Sequence, residues 1–448
     1  LLYQSALNYK MKDMKGIYKF LLLAALTLGA VSCDKVYLDP NSTLEPDVVN
    51  NTDNLVDLIN GIQQRWSAER SGLIYTSVNI TGLNTSELQL LNPGNQGENE
   101  VLLGGDDIGG DNELLNNMWT NAMLCRKEAT TVITSAETAT DDTSVGNTLK
   151  AYGLFYRALV HGTLIQYFEQ IPVEIIEDAP FNDRVTVLQN AIDDLTEAKG
   201  YIDAGLSSEV TSGLIGSVDL ENSVNALLAR FNLMAGNYSA AIAAADDVDL
   251  SAQSTWAYDA AIPNPLAFWF GSQNVTQAKD ARFALPDDLL PEDGDQRVDF
   301  YVFSEDPDAA IPVYQVTAFF DNNTDEIPVY LPGEMLLIKA EAYARSNDLD
   351  NAVIQLNAVR NKTAGEDAFG VGAALADYAG TVDQQSVLDE IYKNRRIELY
   401  LSGLGLEDSR RFDRPGPGDA AAERNRNYYP YPNAERDNND STPANPTS

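Results

Sequence analysis

Cysteine and histidine are nearly absent from this sequence. Its 448 residues contain two cysteines and one histidine. A chain of this size with so few thiols relies on a hydrophobic core rather than on disulfides. Cys125 stands in a helical pattern and is predicted to be a buried, inert thiol. His161 also stands in a helical pattern, where a hydrogen-bonded structural role is favoured over that of a catalytic base.

Recognised catalytic motifs are missing as well. No G-x-S-x-G, H-E-x-x-H or glycine-rich phosphate loop occurs. The sequence therefore predicts no enzyme and no cofactor. A glycosidase pair of carboxylates stays open, because the separation of such a pair is a property of the fold. Acidic clusters at 106–111, 293–299 and 321–325 could offer oxygen ligands to calcium, but none has EF-hand spacing and solvated loops are favoured.

Positive charge is scarce. The chain has 30 basic residues against 67 acidic ones, a formal net charge of −37. Phosphate backbones and anionic lipid surfaces would be repelled by such a chain. Nucleic-acid binding is therefore not expected.

Long apolar runs are limited to one, near the N-terminus. It extends over residues 20–31, follows a short basic segment and is too short to span a membrane as a mature helix. A basic start, a short apolar centre and small residues before a cleavage point are typical of an export signal. The run ends in Ala-Val-Ser-Cys at 30–33, which resembles a lipobox.

These features predict how the N-terminal part is organised. Residues 1–32 are interpreted as upstream residues and a lipoprotein signal peptide, with Met11 or Met14 as the start. Cys33 is the predicted lipidation site, and residues 33–50 the lipidated tether. A lipid on Cys33 would then be the only membrane anchor.

A helical hairpin is the most informative feature of the remaining chain. Leu336, Ala340 and Tyr343 recur at the spacing of a core-facing helix. Asp348 follows a break in the pattern and is placed to cap a second helix. Residues 229–238 align without a gap on residues 340–349, as expected for tetratricopeptide-type hairpins. The predicted fold is mainly α, with hairpins at 113–250 and 331–401, whereas residues 71–111 are predicted to be a long loop region.

Residues 251–330 differ from these hairpins. They contain seven prolines and 13 aromatic residues, so helices there should be short or absent. Recognition of a sugar needs flat apolar rings with polar groups nearby. Trp269, Tyr301 and Tyr314 are the candidate ligand-binding rings of this loop-rich insert, whereas Trp66 and Trp119 lie on helical stripes and are predicted to be core residues.

Seven segments in order resemble the SusD/RagB family of outer-membrane nutrient-uptake lipoproteins of Bacteroidota. They include Ala-Leu-Leu-Ala-Arg at 226–230 and Glu-Met-Leu-Leu-Ile-Lys-Ala-Glu-Ala at 334–342. The other segments lie at 148–172, 295–297, 356–360, 395–399 and 429–435. One departure is the segment at 400–412, which lacks the tryptophan that the family often has there and suggests a divergent subgroup.

The resemblance implies a fold and a function. It implies tetratricopeptide-like hairpins that carry an irregular ligand-binding part, over residues 51–448. It also implies a lipoprotein on the outer membrane, facing the cell exterior, that captures a glycan and acts as the lid of a SusC-like TonB-dependent transporter. Asn79, Asn84 and Glu87, after the first helix, are the polar ligand-binding residues that the resemblance adds. A peptide-binding lid, a scaffold with negligible affinity and a surface glycoside hydrolase remain alternatives.

Overall fold

The computed structural model describes residues 49–306 and 313–447. The predicted signal peptide, Cys33 and nearly all of the tether at 33–50 lie outside the described residues.

The described part of the chain is mainly helical. Its sixteen α-helices are α1 Thr52–Ser67, α2 Leu73–Asn84, α3 Gln96–Leu103, α4 Glu113–Ala139, α5 Thr143–Leu164, α6 Arg184–Asp203, α7 Ser208–Thr211, α8 Leu220–Met234, α9 Tyr238–Asp246, α10 Pro265–Ala267, α11 Gln296–Tyr301, α12 Pro332–Arg345, α13 Leu349–Asn361, α14 Gln384–Glu398, α15 Gly405–Arg411 and α16 Asn433–Asn438.

Strands are short and occur only as antiparallel pairs in these residues. They are β1 Leu88–Leu90 with β5 Thr276–Ala278, β2 Gln170–Pro172 with β3 Phe181–Asp183, β4 Thr255–Trp256 with β8 Ile327–Pro328, and β6 Val302–Phe303 with β7 Gln315–Val316.

Neighbouring helices pack as antiparallel pairs. Helix α4 packs on α5, α5 on α6, α8 on α9, and α12 on α13. The two hairpins that align in the sequence are neighbours in space, because α9 packs on α12. The predicted mainly α, hairpin-based fold is confirmed.

The two aligned hairpins have the same turn. Gly236 and Asn347 occupy equivalent positions, and both have left-handed backbone, with φ of 79° and 60°. The amide of the next residue, Asn237 or Asp348, donates to the carbonyl five positions earlier, at 2.8 Å and 2.9 Å. The Asp348 side chain then caps α13 by accepting from the Asn351 amide, as predicted.

Two predicted coil regions are helical in part. Helices α2 and α3 occupy much of 71–111, so the prediction of a long loop region there is wrong. Nearly every residue of α2 is buried, and a helix buried on all sides has no amphipathic stripe for sequence analysis to detect. The Pro-, Asn- and Tyr-rich sequence after 413 predicts an extended coil over the surface, but Tyr429 and Tyr431 are buried in the core and α16 follows them.

The insert at 251–330 has the irregular structure expected of it. Its described residues contain only short helices and two- or three-residue strands. The β1–β5 pair attaches it beside α2, with Leu88 opposite Ala278. The core predictions also hold, since Trp66, Trp119 and Cys125 are buried, and burial raises the pKa of the Cys125 thiol.

Candidate ligand-binding groove

An open groove of about 870 Å³ lies between the insert and the first helices. Three segments line it: residues 61–71 at the end of α1 and the turn after it, residues 113–121 of α4, and residues 261–269 of the insert. We call it the Trp269 groove, because Trp269 and Phe268 are its aromatic side chains.

Trp269 is placed by an unusual turn of the backbone. Residues Phe268–Ser272 form one turn of π-helix, in which the Gln273 amide donates to the Phe268 carbonyl at 3.1 Å. Single π turns are rare in proteins as a whole, but many of those that occur are found at functional sites. The Val275 amide donates to the Trp269 carbonyl at 3.1 Å, and strand β5 begins at the next residue. Hydrogen bonds therefore fix the turn at both ends.

Buried Asn264 secures the start of this turn. Its side-chain oxygen accepts from the amides of Leu266 and Ala267, at 2.9 Å and 3.0 Å. Its side-chain nitrogen donates to the carbonyls of Phe319 and Asp325, both at 2.8 Å. One side chain therefore joins the turn that carries Trp269 to the far end of the insert.

A charged residue covers part of Trp269. The Arg70 guanidinium carbon lies 5.1 Å from the centre of the indole, within the range of a cation–π contact. The ring of buried Tyr75 meets the indole edge-on, with centroids 6.1 Å apart. Burial and the adjacent Glu98 carboxylate raise the pKa of Tyr75, which keeps its hydroxyl protonated.

The turn that carries Arg70 has a strained backbone. Glu69 has a φ of 62°, a left-handed conformation that is uncommon for a residue with a side chain. Gly72 follows in close approach to the chain, and a Cβ there would lie 2.2 Å from the Ala68 carbonyl oxygen. Such strain is found at functional sites where the surrounding structure holds it in place.

Polar side chains complete the groove. Gln64, Asn117 and Asn121 line it, and Asn121 donates to the Ser71 carbonyl at 2.7 Å. Arg65 also lines the groove and donates two hydrogen bonds to the Glu128 carboxylate, the shorter of which is 3.0 Å. Sequence reasoning missed these residues. The dense run of charges at 65–70 was the available signal for Arg65 and Arg70, but nothing in the sequence links Glu98 or Asn121 to them.

Trp269 is the only predicted ring among those lining the groove. Tyr314 is partly buried elsewhere in the insert, where its backbone forms an isolated antiparallel β-bridge with Ala278. Tyr301 is fully buried and donates to the Glu398 carbonyl at 2.7 Å. It lines a smaller cavity of about 110 Å³.

The three polar residues proposed from the resemblance are buried. Asn79 donates to the Tyr75 carbonyl at 3.0 Å, and Asn84 donates to the Tyr429 hydroxyl at 2.6 Å. Glu87 pairs with Arg396 at 3.1 Å, and burial raises its pKa despite that partner. Their polar atoms bind other parts of the protein, and none of the three side chains lines the Trp269 groove.

The structure also tests the prediction for His161. His161 is buried, but the hydrogen-bonded role predicted for it is wrong, because neither ring nitrogen has a partner within the described residues. No group of three or more His, Cys, Asp or Glu side chains suited to a metal ion occurs in 49–306 or 313–447. In the same ranges, no helix is both long and apolar enough to cross a membrane.

Comparisons with known proteins address the fold and the family. Residues 316–447 match the SusD family model. A SusD-like carbohydrate binding protein from Bacteroides vulgatus has a TM-score of 0.64 at 19 % identity, over 82 % of this chain and 84 % of that one. The predicted resemblance to the SusD/RagB family is confirmed.

Further SusD-like similarity comes from other solved structures. A putative sugar binding protein from Bacteroides vulgatus has a TM-score of 0.67 at 16 % identity, over 89 % of this chain and 99 % of that one. A laminarin binding SusD-like protein has a TM-score of 0.62 at 17 % identity, over 88 % and 98 %. At these identities the structures show the SusD-like fold alone. No curated protein matches the sequence significantly.

Proposed function

We propose that this chain is a cell-surface lipoprotein that binds a glycan in the Trp269 groove and serves as the lid of a SusC-like TonB-dependent transporter. One observation carries the ligand assignment: a partly exposed indole lines an open groove together with amide side chains. A flat ring suits the C–H face of a pyranose, and amides suit its hydroxyls.

The names of similar solved proteins support a glycan rather than another ligand. They include a carbohydrate binding, a putative sugar binding and a laminarin binding protein. Peptide capture is the second candidate, and it would be favoured by a cleft of glycine and asparagine without tryptophan. The presence of Trp269 and Phe268 in the groove favours the glycan.

Charge in the groove favours a neutral glycan. Arg65 and Arg70 face it, and so do the exposed carboxylates of Glu69 and Glu113. Arg65 and Arg70 are each paired with a carboxylate, Glu128 and Glu98, so neither offers a free positive charge to an acidic sugar, and the whole chain carries −37. A neutral oligosaccharide is therefore the ligand class that we propose.

Replacement of Trp269 by alanine tests the site. A central tryptophan contributes about 2 kcal/mol or more to binding, so Trp269→Ala should weaken an oligosaccharide by more than about tenfold. Calorimetric titration with laminarin oligosaccharides comes first, followed by other neutral glucans and mannans. Thermal melts of the same proteins report whether the fold is retained.

Phe303→Ala is the matched control, because Phe303 is an exposed aromatic residue of the insert that does not line the groove. It should bind like wild type. Equal affinity of Trp269→Ala and wild type for the glycan would contradict the assignment. Binding of a peptide library but of no glycan would replace it with the peptide-binding alternative.

Anchoring and partnership are tested in native membranes. The wild-type protein should incorporate labelled fatty acid at Cys33 and co-purify with a large TonB-dependent barrel from mild detergent. A tether keeps the lid near the barrel, so high affinity is not needed. Cys33→Ala should release the protein from the membrane, and continued acylation of that variant would contradict the lipid assignment.

A further inference from the structure

The Arg70 side chain is held in place by the buried carboxylate of Glu98. The Glu98 side chain is 0 % exposed. Arg70 donates to it through Nε at 3.0 Å and through Nη2 at 2.6 Å to each oxygen. The Tyr75 hydroxyl donates to the same carboxylate at 2.9 Å. A planar guanidinium bound by this fork has little rotational freedom.

The same two residues that bind Glu98 also touch Trp269. The Arg70 guanidinium lies over the indole at 5.1 Å, and the Tyr75 ring meets it at 6.1 Å. Glu98, on α3, therefore reaches the indole of the insert through two side chains. This connection joins segments that are more than 150 residues apart in the sequence.

A second arginine of the groove provides a comparison. Arg65 is paired with Glu128 through the same two guanidinium nitrogens, Nε and Nη2. Within the described residues, Arg65 lies over no aromatic ring at cation–π distance. The contact with Trp269 is thus specific to Arg70 and is not a general property of an arginine in this groove.

We infer that Arg70, aligned by Glu98, is the positioning residue for Trp269: it holds the indole in one orientation and leaves at most one ring face to a ligand. The inference rests on the proposed function, because it explains how that site is preorganised. A side chain that is ordered before binding loses less conformational entropy when the ligand arrives. In the part of the chain that the structure describes, Arg70 Nη1 makes no hydrogen bond and can donate to a sugar hydroxyl beside the ring.

Tryptophan fluorescence can test the positioning without any ligand. The chain has four tryptophans; Trp66, Trp119 and Trp256 are at most 5 % exposed, and only Trp269 is partly open to solvent. Quenching by acrylamide therefore reports mainly on Trp269, and Trp269→Phe should abolish most of it. Arg70→Met with Glu98→Gln removes both charges together, which avoids leaving a buried carboxylate without its partner.

The double variant should increase the Trp269 quenching constant about twofold or more over wild type, because no fork of hydrogen bonds holds the methionine over the ring. Arg65→Met with Glu128→Gln removes the other pair of the groove and should leave quenching unchanged. Arg70→Lys keeps the charge but not the planar fork, and should give an intermediate value.

Ligand titration provides the second measurement. The Arg70/Glu98 double variant should weaken the oligosaccharide that wild type binds by about threefold to tenfold, the range expected for ordering one side chain. Quenching and affinity both equal to wild type would overturn the positioning role. If wild type binds no oligosaccharide, the proposed function fails, whereas the quenching result still decides whether Arg70 positions Trp269.

Discussion

His161 is an example of a residue whose environment controls its charge. It lies in α5, and neither ring nitrogen is hydrogen-bonded to a described residue. Burial, together with the charges of Arg126 and Arg157, lowers its pKa to about 3. In the unfolded chain the pKa is about 6.5, so the unfolded state binds the extra proton first as the pH falls.

We therefore expect His161 to contribute to acid sensitivity. Its contribution to stability is complete above about pH 6.5 and is lost progressively between 6.5 and about 3, by up to about 1.4 kcal/mol per pH unit. His161→Leu removes this titration. Urea unfolding at pH 7 and pH 5 should show that wild type loses more stability than the variant between the two values. Equal losses in both proteins would contradict the pKa shift.

The turn between α12 and α13 shows how one residue supports an element. Asn347 has left-handed backbone, which costs roughly 1–2 kcal/mol for most L-residues and which glycine and asparagine tolerate best. Asn347→Ala should therefore lower the free energy of unfolding by about 1 kcal/mol, whereas Asn347→Gly should not. Chemical denaturation of the two variants provides the measurement. The residue at the same place in the other hairpin is Gly236. An equal loss of unfolding free energy in both Asn347 variants would show that the side chain matters rather than the backbone.

Among the acidic residues, those with a buried charge matter most for the stability of the protein. Glu341 of α12 is fully buried and pairs with Arg345 at 2.7 Å, Arg411 at 2.8 Å and Arg395 at 4.0 Å. Burial acts to raise the pKa of Glu341, but Arg411 and the other two cations outweigh it and hold the pKa below its usual value. The ionised carboxylate therefore stabilises the protein above the unfolded pKa of about 4.3, and this contribution is lost as the pH falls through the lower folded value.

Removal of this charge should affect the whole molecule, because it connects α12 with α14 and α15. Glu341→Gln removes the carboxylate that Arg345 and Arg411 share, whereas Asp408 still pairs with Arg395 and Arg411, and we expect a loss of about 1–3 kcal/mol. Glu137→Gln is the control, because Glu137 pairs with Lys150 on the surface and is mostly exposed. It should change the unfolding free energy little. Thermal and urea unfolding of both variants would show the contrast, and similar losses would argue against the network.

Local pattern was enough to predict the hairpins and their turn. The alignment of Gly236 with Asn347 depends on neighbours within a few positions, and the structure has the matched turn. Of the predicted stripe, Ala340 is buried, whereas Leu336 and Tyr343 are only partly buried against the same cluster. The density of rings in the insert likewise led to Trp269 as the residue to test. Helix α2 had no such pattern, because burial on all sides leaves no polar face.

The sequence could not predict which distant residues come into contact only after folding. Asn79, Asn84 and Glu87 have polar side chains suited to a sugar, yet the folded chain turns them inward to Tyr75, Tyr429 and Arg396. Arg70, Glu98 and Trp269 are far apart along the chain and form one group only when the insert packs on the first helices. Residue type and spacing predict helices because helical contacts are local, whereas the partners of a polar group depend on contacts between distant segments.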